Sequence, residues 1–278
     1  MEVLGGMSIY KPCRQYYNQG RISGLGGDWM EIRTARALQE QLVCGPLKFF
    51  HRDIPVLKRY SSLTPVEEQA RFEQARRKAV LQLASYYDRT VEEVGEEFAS
   101  IFAIHAMLLE EEDLEEHAYQ MIWEEKTTAE YAVFATGKLF ANIFSAMDDP
   151  YMKARAADIR DLTRRVIQML GELKWDIPEL SQASILVTDE FLPSEVLEID
   201  RSRLLGVVSC KGSLNSHAAL LLKAYHIPCM VETELEENWD GHMAMLDGAE
   251  NRIYLDPEPV QKSRLCRQYE MRGMPVLC

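Results

Sequence analysis

The sequence predicts an α+β protein in which an α/β part is interrupted by an inserted helical bundle. Apolar residues recur at helical spacing between residues 64 and 171. From residue 184 onwards, short apolar runs alternate with Asp, Gly, Pro and Asn, which is typical of strands joined by turns. One more apolar run, at residues 42–50, precedes the helices, and we expect it to join the same sheet.

Composition sets the broad class of protein. The chain has 278 residues, of which 47% are hydrophobic and 27% charged, enough for one large domain or two smaller ones. Its formal net charge of −13 disfavours nucleic acid and anionic lipid and favours a basic protein partner. No apolar run approaches the ~20 residues that span a bilayer, and the N-terminus lacks a signal pattern. We therefore expect a cytoplasmic protein with no membrane and no nucleic-acid partner.

The six cysteines lie at positions 13, 44, 210, 229, 266 and 278. None of them forms a C-x-x-C pair, so neither a zinc site nor a redox dithiol is indicated. We expect reduced thiols that fill gaps in the core.

The N-terminal segment, residues 1–60, is punctuated by glycines and shows no clear period. Residues 30–42 are compatible with a short helix. The run 42–50 predicts a strand with a bend at Gly45 and Pro46. This segment is expected to add strands to the α/β part.

Residues 61–173 predict a bundle of four or more helices. Thr64, Pro65 and Glu67 form a helix start signal, and Asp149 with Pro150 forms another. An apolar stripe at helical spacing follows the first start, at Phe72, Ala75, Ala79, Leu83 and Tyr86. Helical patterns continue over residues 91–116, 128–147 and 151–170.

Residues 174–259 predict the α/β part, with strands at 184–188, 206–209, 229–231, 244–246 and 252–255. Residues 260–278 are polar, and we interpret them as a C-terminal linker or a helix that leads elsewhere.

The stretch 212–228 is the strongest candidate for chemistry. A Gly/Ser loop precedes His217, and an apolar helical run follows at once. A helix N-terminus favours an anion and a neutral imidazole, and loop amides can hold a phosphate. Lys223 can add a cation only if the helix begins after the histidine. The plain alternative is a histidine that caps or packs.

Several stretches resemble known motifs. Residues 212–228 resemble the phosphohistidine motif of phosphoenolpyruvate-utilising enzymes. Residues 185–195 and 246–257 are similar to segments that flank this motif in the Enzyme I family of the phosphoenolpyruvate:sugar phosphotransferase system (phosphoenolpyruvate-protein phosphotransferase). Residues 101–114 and 151–161 resemble that family's helices that bind the phosphocarrier protein HPr. The resemblance covers roughly residues 42–258.

The resemblance implies a swivelling phosphohistidine subdomain with an inserted HPr-binding subdomain. His217 would be the nucleophile, phosphorylated at its tele nitrogen, with a site completed by Gly212, Ser213, Asn215, Ser216 and Lys223. It would take the phosphoryl group from phosphoenolpyruvate, through a C-terminal barrel domain absent from this chain, and pass it to HPr for sugar uptake. Mg²⁺ would serve the full-length enzyme at that barrel, and no metal site is expected here.

The chain departs from the family pattern around the histidine. The second glycine is Ser213, the Arg-Thr pair is Leu214-Asn215, two small residues after the histidine are Ala218-Ala219, and an arginine is Lys223. A nearby threonine is Val196. By the resemblance, these losses remove hydrogen-bond donors from around the histidine, and Lys223 keeps the charge of the arginine but not its bidentate fork. A catalytically degenerate HPr-binding or regulatory module is therefore an alternative. A dikinase-like swivelling domain is another, although the helical insertion argues against it.

The partner surface is predicted on the acidic helices. By resemblance it comprises Glu96, Glu97, Met107, Leu108, Glu112, Asp113 and Arg155. An apolar centre within a charged rim suits a transient interface. The alternative is a solvated helix face. His105 is expected to be structural.

Overall fold

A computed structural model describes residues 31–52, 56–171, 177 and 179–278. The described residues form two compact units, one within residues 52–171 and the other made of residues 31–51 together with 177–278. The first is helical and the second is built on a mixed sheet. The predicted α+β class with an inserted helical bundle is confirmed. Within these described stretches, no helix combines the length and the apolar character needed to cross a membrane.

The helical unit contains five helices in its described part: α1 (Pro65–Val94), α2 (Glu96–Leu109), α3 (Glu112–Glu124), α4 (Ala129–Ala146) and α5 (Pro150–Leu170). The helical pattern predicted over 91–116 is divided between three of them. Gly95 separates α1 from α2 with a φ of 100°, a left-handed conformation that ends the first helix. Two glutamates, Glu110 and Glu111, separate α2 from α3.

The start of α1 follows its local sequence. Glu67 N donates to Thr64 Oγ1, and Thr64 N donates to the Glu67 carboxylate at 2.8 Å, which completes a capping box. These hydrogen bonds from Thr64 hold the pKa of Glu67 below its ordinary value. The predicted stripe of Phe72, Ala75, Ala79, Leu83 and Tyr86 is buried, as its spacing requires.

The helices α4 and α5 approach each other closely at Gly137. A Cβ atom at this position would overlap the side chain of Thr163, whose hydroxyl donates to Ile159 O at 2.6 Å. Gly137 is therefore required by packing, although glycine is a poor helix former.

The sheet unit has nine described strands: β1 (Glu31–Thr34), β2 (Arg36–Ala37), β3 (Leu42–Phe50), β4 (Ser184–Thr188), β5 (Leu204–Ser209), β6 (Cys229–Val231), β7 (Met243–Asp247), β8 (Arg252–Leu255) and β9 (Val276–Leu277). The order is β1-β8-β7-β3-β4-β5-β6-β2, and β9 pairs with β3 off this path. Strands β3 to β6 are parallel, whereas β7 pairs with β3 antiparallel. The prediction that residues 42–50 join this sheet is confirmed.

Helices and a buried core complete this unit. The helices are α6 (Pro193–Glu198), α7 (His217–Ala224) and α8 (Pro259–Arg272). Val43 and Leu47 of β3 belong to one apolar cluster, with Ile185, Val208 and Leu246. Leu42 and Cys44 belong to a second, with Met245, Leu265 and Tyr269. The strand β3 is thus buried on both faces, which explains its near-continuous apolar run.

Two sequence predictions differ from the structure. Residues 31–37 form β1 and β2 instead of the short helix expected over 30–42, because they pair with β8 and β6 more than 190 positions away. Residues 260–278, expected as a linker or outgoing helix, form α8 and β9, and β9 pairs with β3. Gly273, in the left-handed region at φ 66°, ends α8 and lets the chain turn back.

The expectation of free thiols is wrong for two cysteines. Cys44 and Cys278 form a disulfide with a Cα–Cα distance of 4.5 Å, next to the paired residues Val43 and Leu277. The pairing of β9 with β3 brings these residues together across 234 positions, so sequence spacing could not show it. Cys210, Cys229 and Cys266 form no disulfide with a described residue, and burial raises the pKa of the Cys229 thiol to about 12. Cys13 lies outside the described residues.

Candidate functional site

The loop that carries His217 begins at the carboxyl end of the parallel strands. Phe50 of β3, Thr188 of β4 and Ser209 of β5 lie in one row of the sheet. Beyond this row, Cys210 N donates to Thr188 O at 3.1 Å and Lys211 N donates to Asp189 O at 2.7 Å. The pairing of β4 and β5 thus extends into the loop. Ligands in parallel α/β sheets bind at this edge.

Gly212 turns the chain directly after this anchored segment. Its φ is 116°, which side-chain-bearing residues rarely adopt. The loop then folds on itself, since Ser216 N donates to Ser213 O at 3.0 Å and Asn215 N donates to Ser213 Oγ at 3.2 Å. Ser213 therefore shapes the loop, whereas the side chain of Asn215 is exposed.

The helix α7 starts at His217 itself. Ser216 is its N-cap and accepts a hydrogen bond from Ala219 N at 3.2 Å. His217 is half-buried and occupies the first helical turn, where backbone N–H groups lack partners within the helix and the dipole is positive. The arrangement offers an imidazole beside an anion-binding helix end.

Lys223 lies at the other end of the same helix. Because α7 runs from His217 to Ala224, the lysine sits in its last turn, six residues or about 9 Å along the axis from the histidine. Lys223 could serve the site only if the helix began after the histidine. In the structure the helix begins at the histidine itself. An exposed lysine in the last turn instead complements the negative end of the helix dipole.

The side chains packed behind the loop are apolar. Val196 of α6 is fully buried, and Ala218 and Ala219 are almost fully buried. The helices α6 and α7 pack against each other. These residues supply packing where the resembling family has hydroxyl donors.

In the helical unit, the predicted partner residues lie on three helices, α2, α3 and α5. Glu96 and Glu97 are exposed in the first turn of α2, and Glu112 and Asp113 in the first turn of α3. Carboxylates at helix N-termini stabilise the dipole, so part of this acidity is explained locally. Met107 is not explained in this way: its side chain is 66% exposed near the end of α2, with Leu108 half-buried beside it.

Arg155 is held on α5 by its surroundings. Its guanidinium lies 3.1 Å from Asp158 Oδ2, contacts the Tyr151 hydroxyl and sits 4.5 Å from the Tyr151 ring centroid. The other oxygen of Asp158 lies 3.2 Å from Nε2 of the fully buried His105. Asp158, which the sequence patterns did not single out, therefore joins α5 to α2. His105 is fully buried beside Asp158, and its structural role stays a prediction.

Lys211 is the second residue that the patterns missed. Its Nζ lies 3.9 Å from Asp189 Oδ2, at the edge where the His217 loop begins. Part of the signal was present in the sequence, since residues 209–217 contain a single lysine or arginine, which is Lys211.

Comparisons with known proteins agree with this architecture. Residues 34–155 match the N-terminal domain of phosphoenolpyruvate-utilising enzymes, and residues 180–251 match the mobile domain of the same enzymes. The phosphoenolpyruvate-protein phosphotransferase of Bacillus sp. (strain S) is 33% identical over 208 residues, covering 74% of this chain and 35% of that protein. The protein of the same name from Haemophilus influenzae is 34% identical over 201 residues, covering 71% of this chain and 35% of the relative.

Two solved structures share the fold. The N-terminal domain of Enzyme 1 (nitrogen) is 26% identical, with a TM-score of 0.53, and the match covers 86% of this chain and 99% of that one. A solution structure of an Enzyme I protein (nEIt) gives a TM-score of 0.61 at 23% identity, over 87% and 99% of the two chains. The chain spans about a third of the length of the curated relatives. On both domain matches, the chain belongs to the family of phosphoenolpyruvate-utilising enzymes.

Proposed function

We propose that this chain is the phosphohistidine and HPr-binding part of an Enzyme I-type phosphotransferase. His217 accepts a phosphoryl group that originates from phosphoenolpyruvate at a separate barrel domain, and passes it to HPr for sugar uptake. The observation that carries the proposal is the position of His217 as the first residue of the capped helix α7, on a loop at the carboxyl edge of parallel strands. The Mg²⁺ of the complete cycle belongs to the barrel, and no residue of this chain is assigned to it.

The transfer needs few covalent steps from the protein. A lone pair on the tele nitrogen of His217 forms the new N–P bond while the donor's bond to phosphorus breaks. The electron pair of that bond leaves with the donor, on the enolate oxygen of phosphoenolpyruvate or on the ring nitrogen of phospho-HPr. When HPr is the donor, its phosphohistidine reacts with the second ring nitrogen protonated, so that a neutral ring leaves. Positioning and charge stabilisation dominate such reactions. The Ser216 cap and the turn at Gly212 supply the positioning.

A specific observation favours a second candidate function. Val196 is buried against the loop's helix. Ser213 Oγ accepts a hydrogen bond from Asn215 N and Ser216 Oγ accepts one from Ala219 N, so these two backbone donors are already used. A site with fewer free donors suits a binding or regulatory module that docks HPr without taking phosphate.

A transfer experiment separates the two candidates. The chain is mixed with phosphorylated HPr, and we expect acid-labile, base-stable phosphate to appear on the chain, since phosphohistidine has this stability. The reverse transfer to unphosphorylated HPr should also occur, whereas phosphoenolpyruvate alone should give no label. Binding of HPr by calorimetry without any label would support the binding module and contradict the phosphotransferase.

We further propose that HPr docks on the acidic surface formed by Glu96, Glu97, Met107, Leu108, Glu112, Asp113 and Arg155. The exposed Met107 gives this surface an apolar centre, and the carboxylates at the starts of α2 and α3 give it an acidic rim. Acidic and basic surfaces that face each other accelerate encounter and fix orientation.

Charge reversal tests this surface. The double variant Glu112→Lys/Asp113→Lys should slow association with HPr by about tenfold or more at low salt, because steering depends on complementary charge. Added salt should narrow the difference. The matched control is Glu234→Lys/Glu270→Lys, which changes the net charge equally at exposed positions of the sheet unit. Equal association rates for the two double variants would place the docking surface elsewhere.

A further inference from the structure

The His217 loop carries a basic side chain, Lys211, that is not among the site residues assigned by resemblance. We propose that Lys211 is a catalytic residue whose ammonium group contacts the phosphoryl group as it is transferred to His217. This inference rests on the proposed function, since it assumes that His217 is phosphorylated.

The chemistry of the step requires positive charge close to the phosphorus. During transfer, the three equatorial oxygens of the phosphoryl group carry the negative charge. Cations close to these oxygens stabilise the transition state. The helix end at His217 contributes partial charge through its amides. A full charge must come from a side chain that reaches the same end of α7.

The basic residues at the far end of α7 do not meet this requirement. Lys223 is in the last turn of the helix. Arg201 stacks over Tyr225, the residue that ends the helix, with 4.0 Å between its guanidinium carbon and the ring centroid. Both therefore serve the C-terminal end of α7.

Lys211 is placed at the opposite end, where the loop leaves the sheet. Its backbone is fixed on both sides: Lys211 N donates to Asp189 O at 2.7 Å, and Ser209 Oγ donates to Lys211 O. Gly212 turns the chain next to it, and the self-bonded loop of Ser213–Ser216 leads into His217. A lysine on a fixed backbone loses less freedom when it binds than one on a flexible loop.

The contact between Lys211 and Asp189 is weak enough for the ammonium group to move from the carboxylate to a phosphoryl oxygen. The two charged groups are 3.9 Å apart, and their side chains are 37% and 23% exposed. Such half-solvated pairs are weak, so the ammonium group can exchange the carboxylate for a phosphoryl oxygen at small cost. The more highly charged phosphoryl group is the stronger acceptor. Asp189 thus keeps Lys211 at the loop until the phosphoryl group arrives.

The test uses the full chain and a small donor, phosphoramidate, which needs no docking surface. The ring nitrogen of His217 forms the N–P bond and the P–N bond of phosphoramidate breaks. The phosphoramidate nitrogen is protonated near neutral pH, so neutral ammonia leaves with the electron pair. Label on His217→Ala is subtracted as background. We expect Lys211→Met to slow labelling about 10- to 100-fold, with Lys211→Arg within about threefold of the wild type because it keeps the charge.

The matched control is Lys262→Met, which removes one positive charge from α8 of the same unit, outside the loop and α7, and should label within about threefold of the wild type. Circular dichroism and HPr affinity should be unchanged in all three variants. Wild-type rates in Lys211→Met would overturn the inference, as would a loss that arginine fails to restore or that accompanies loss of folding. If phosphoramidate labels the wild type in a Lys211-dependent manner while phospho-HPr does not, the inference stands and the HPr transfer fails. A wild type that neither donor labels overturns both.

Discussion

Alanine at His217 should abolish acid-labile phosphate on the chain, leaving less than about 1% of the wild-type label after incubation with phospho-HPr. Alanine has no ring nitrogen to form the N–P bond. If the hydroxyl of Ser213 or Ser216 accepted the phosphate instead, the product would be a phosphate ester. Phosphate esters survive acid, so the assay would distinguish them from phosphohistidine. The helix should persist, since the Ser216 cap remains and alanine is a good helix former. The measurement is the amount of base-stable, acid-labile phosphate per chain.

The matched control for this variant lies just after the same helix. His226 follows the end of α7, is exposed and has a φ of 56°, a conformation that asparagine tolerates. His226→Asn should therefore label like the wild type. Label on His217→Ala at the wild-type level would show that another histidine carries the phosphate, and the function would need a different site.

Removal of the Glu68 carboxylate should destabilise the helical unit by about 3 kcal/mol. The side chain is 2% exposed and accepts hydrogen bonds from Ala129 N at 3.0 Å, from Arg71 at 2.6 Å and from the Ser61 hydroxyl. It joins the start of α1 to the start of α4 and to the segment before α1. In Glu68→Ala the buried amide of Ala129 loses its acceptor, which is the main cost.

Guanidinium unfolding followed by circular dichroism measures this loss. Glu68→Gln retains an oxygen for the Ala129 amide and should lose less, about 1–2 kcal/mol. Gln74→Ala, at an exposed position of the same helix, should stay within about 0.5 kcal/mol of the wild type. If Glu68→Ala were as stable as Gln74→Ala, the carboxylate would have no anchoring role.

Much of the fold is readable from short stretches of the chain. The starts of α1 and α5 follow cap and proline signals at Thr64 and Asp149, and both side chains accept the capping hydrogen bonds. The strands β4 to β8 lie where apolar runs predict them. The loop and helix around His217 also follow the sequence, down to the glycine with positive φ.

The candidate site was predictable in part. A small polar loop before a histidine and an apolar helix is a local pattern, so it identifies His217, Gly212 and Ser216 directly. Lys223 was misplaced because the prediction depended on where the helix begins, a boundary that local patterns give only to within a few residues. Lys211 was missed because its place beside Asp189 follows from the register of β4 against β5.

What this sequence determines by itself is local: helix starts, strand runs, the loop that ends at His217 and the acidity of α2 and α3. These depend on hydrogen bonds and side-chain spacing over a few residues. The strands at 31–37, the Cys44–Cys278 disulfide, the contacts of Asp158 and the Gly137 approach were decided only in the folded chain. Each needs a partner brought from a distant part of the chain, and only the packing of the whole unit selects it.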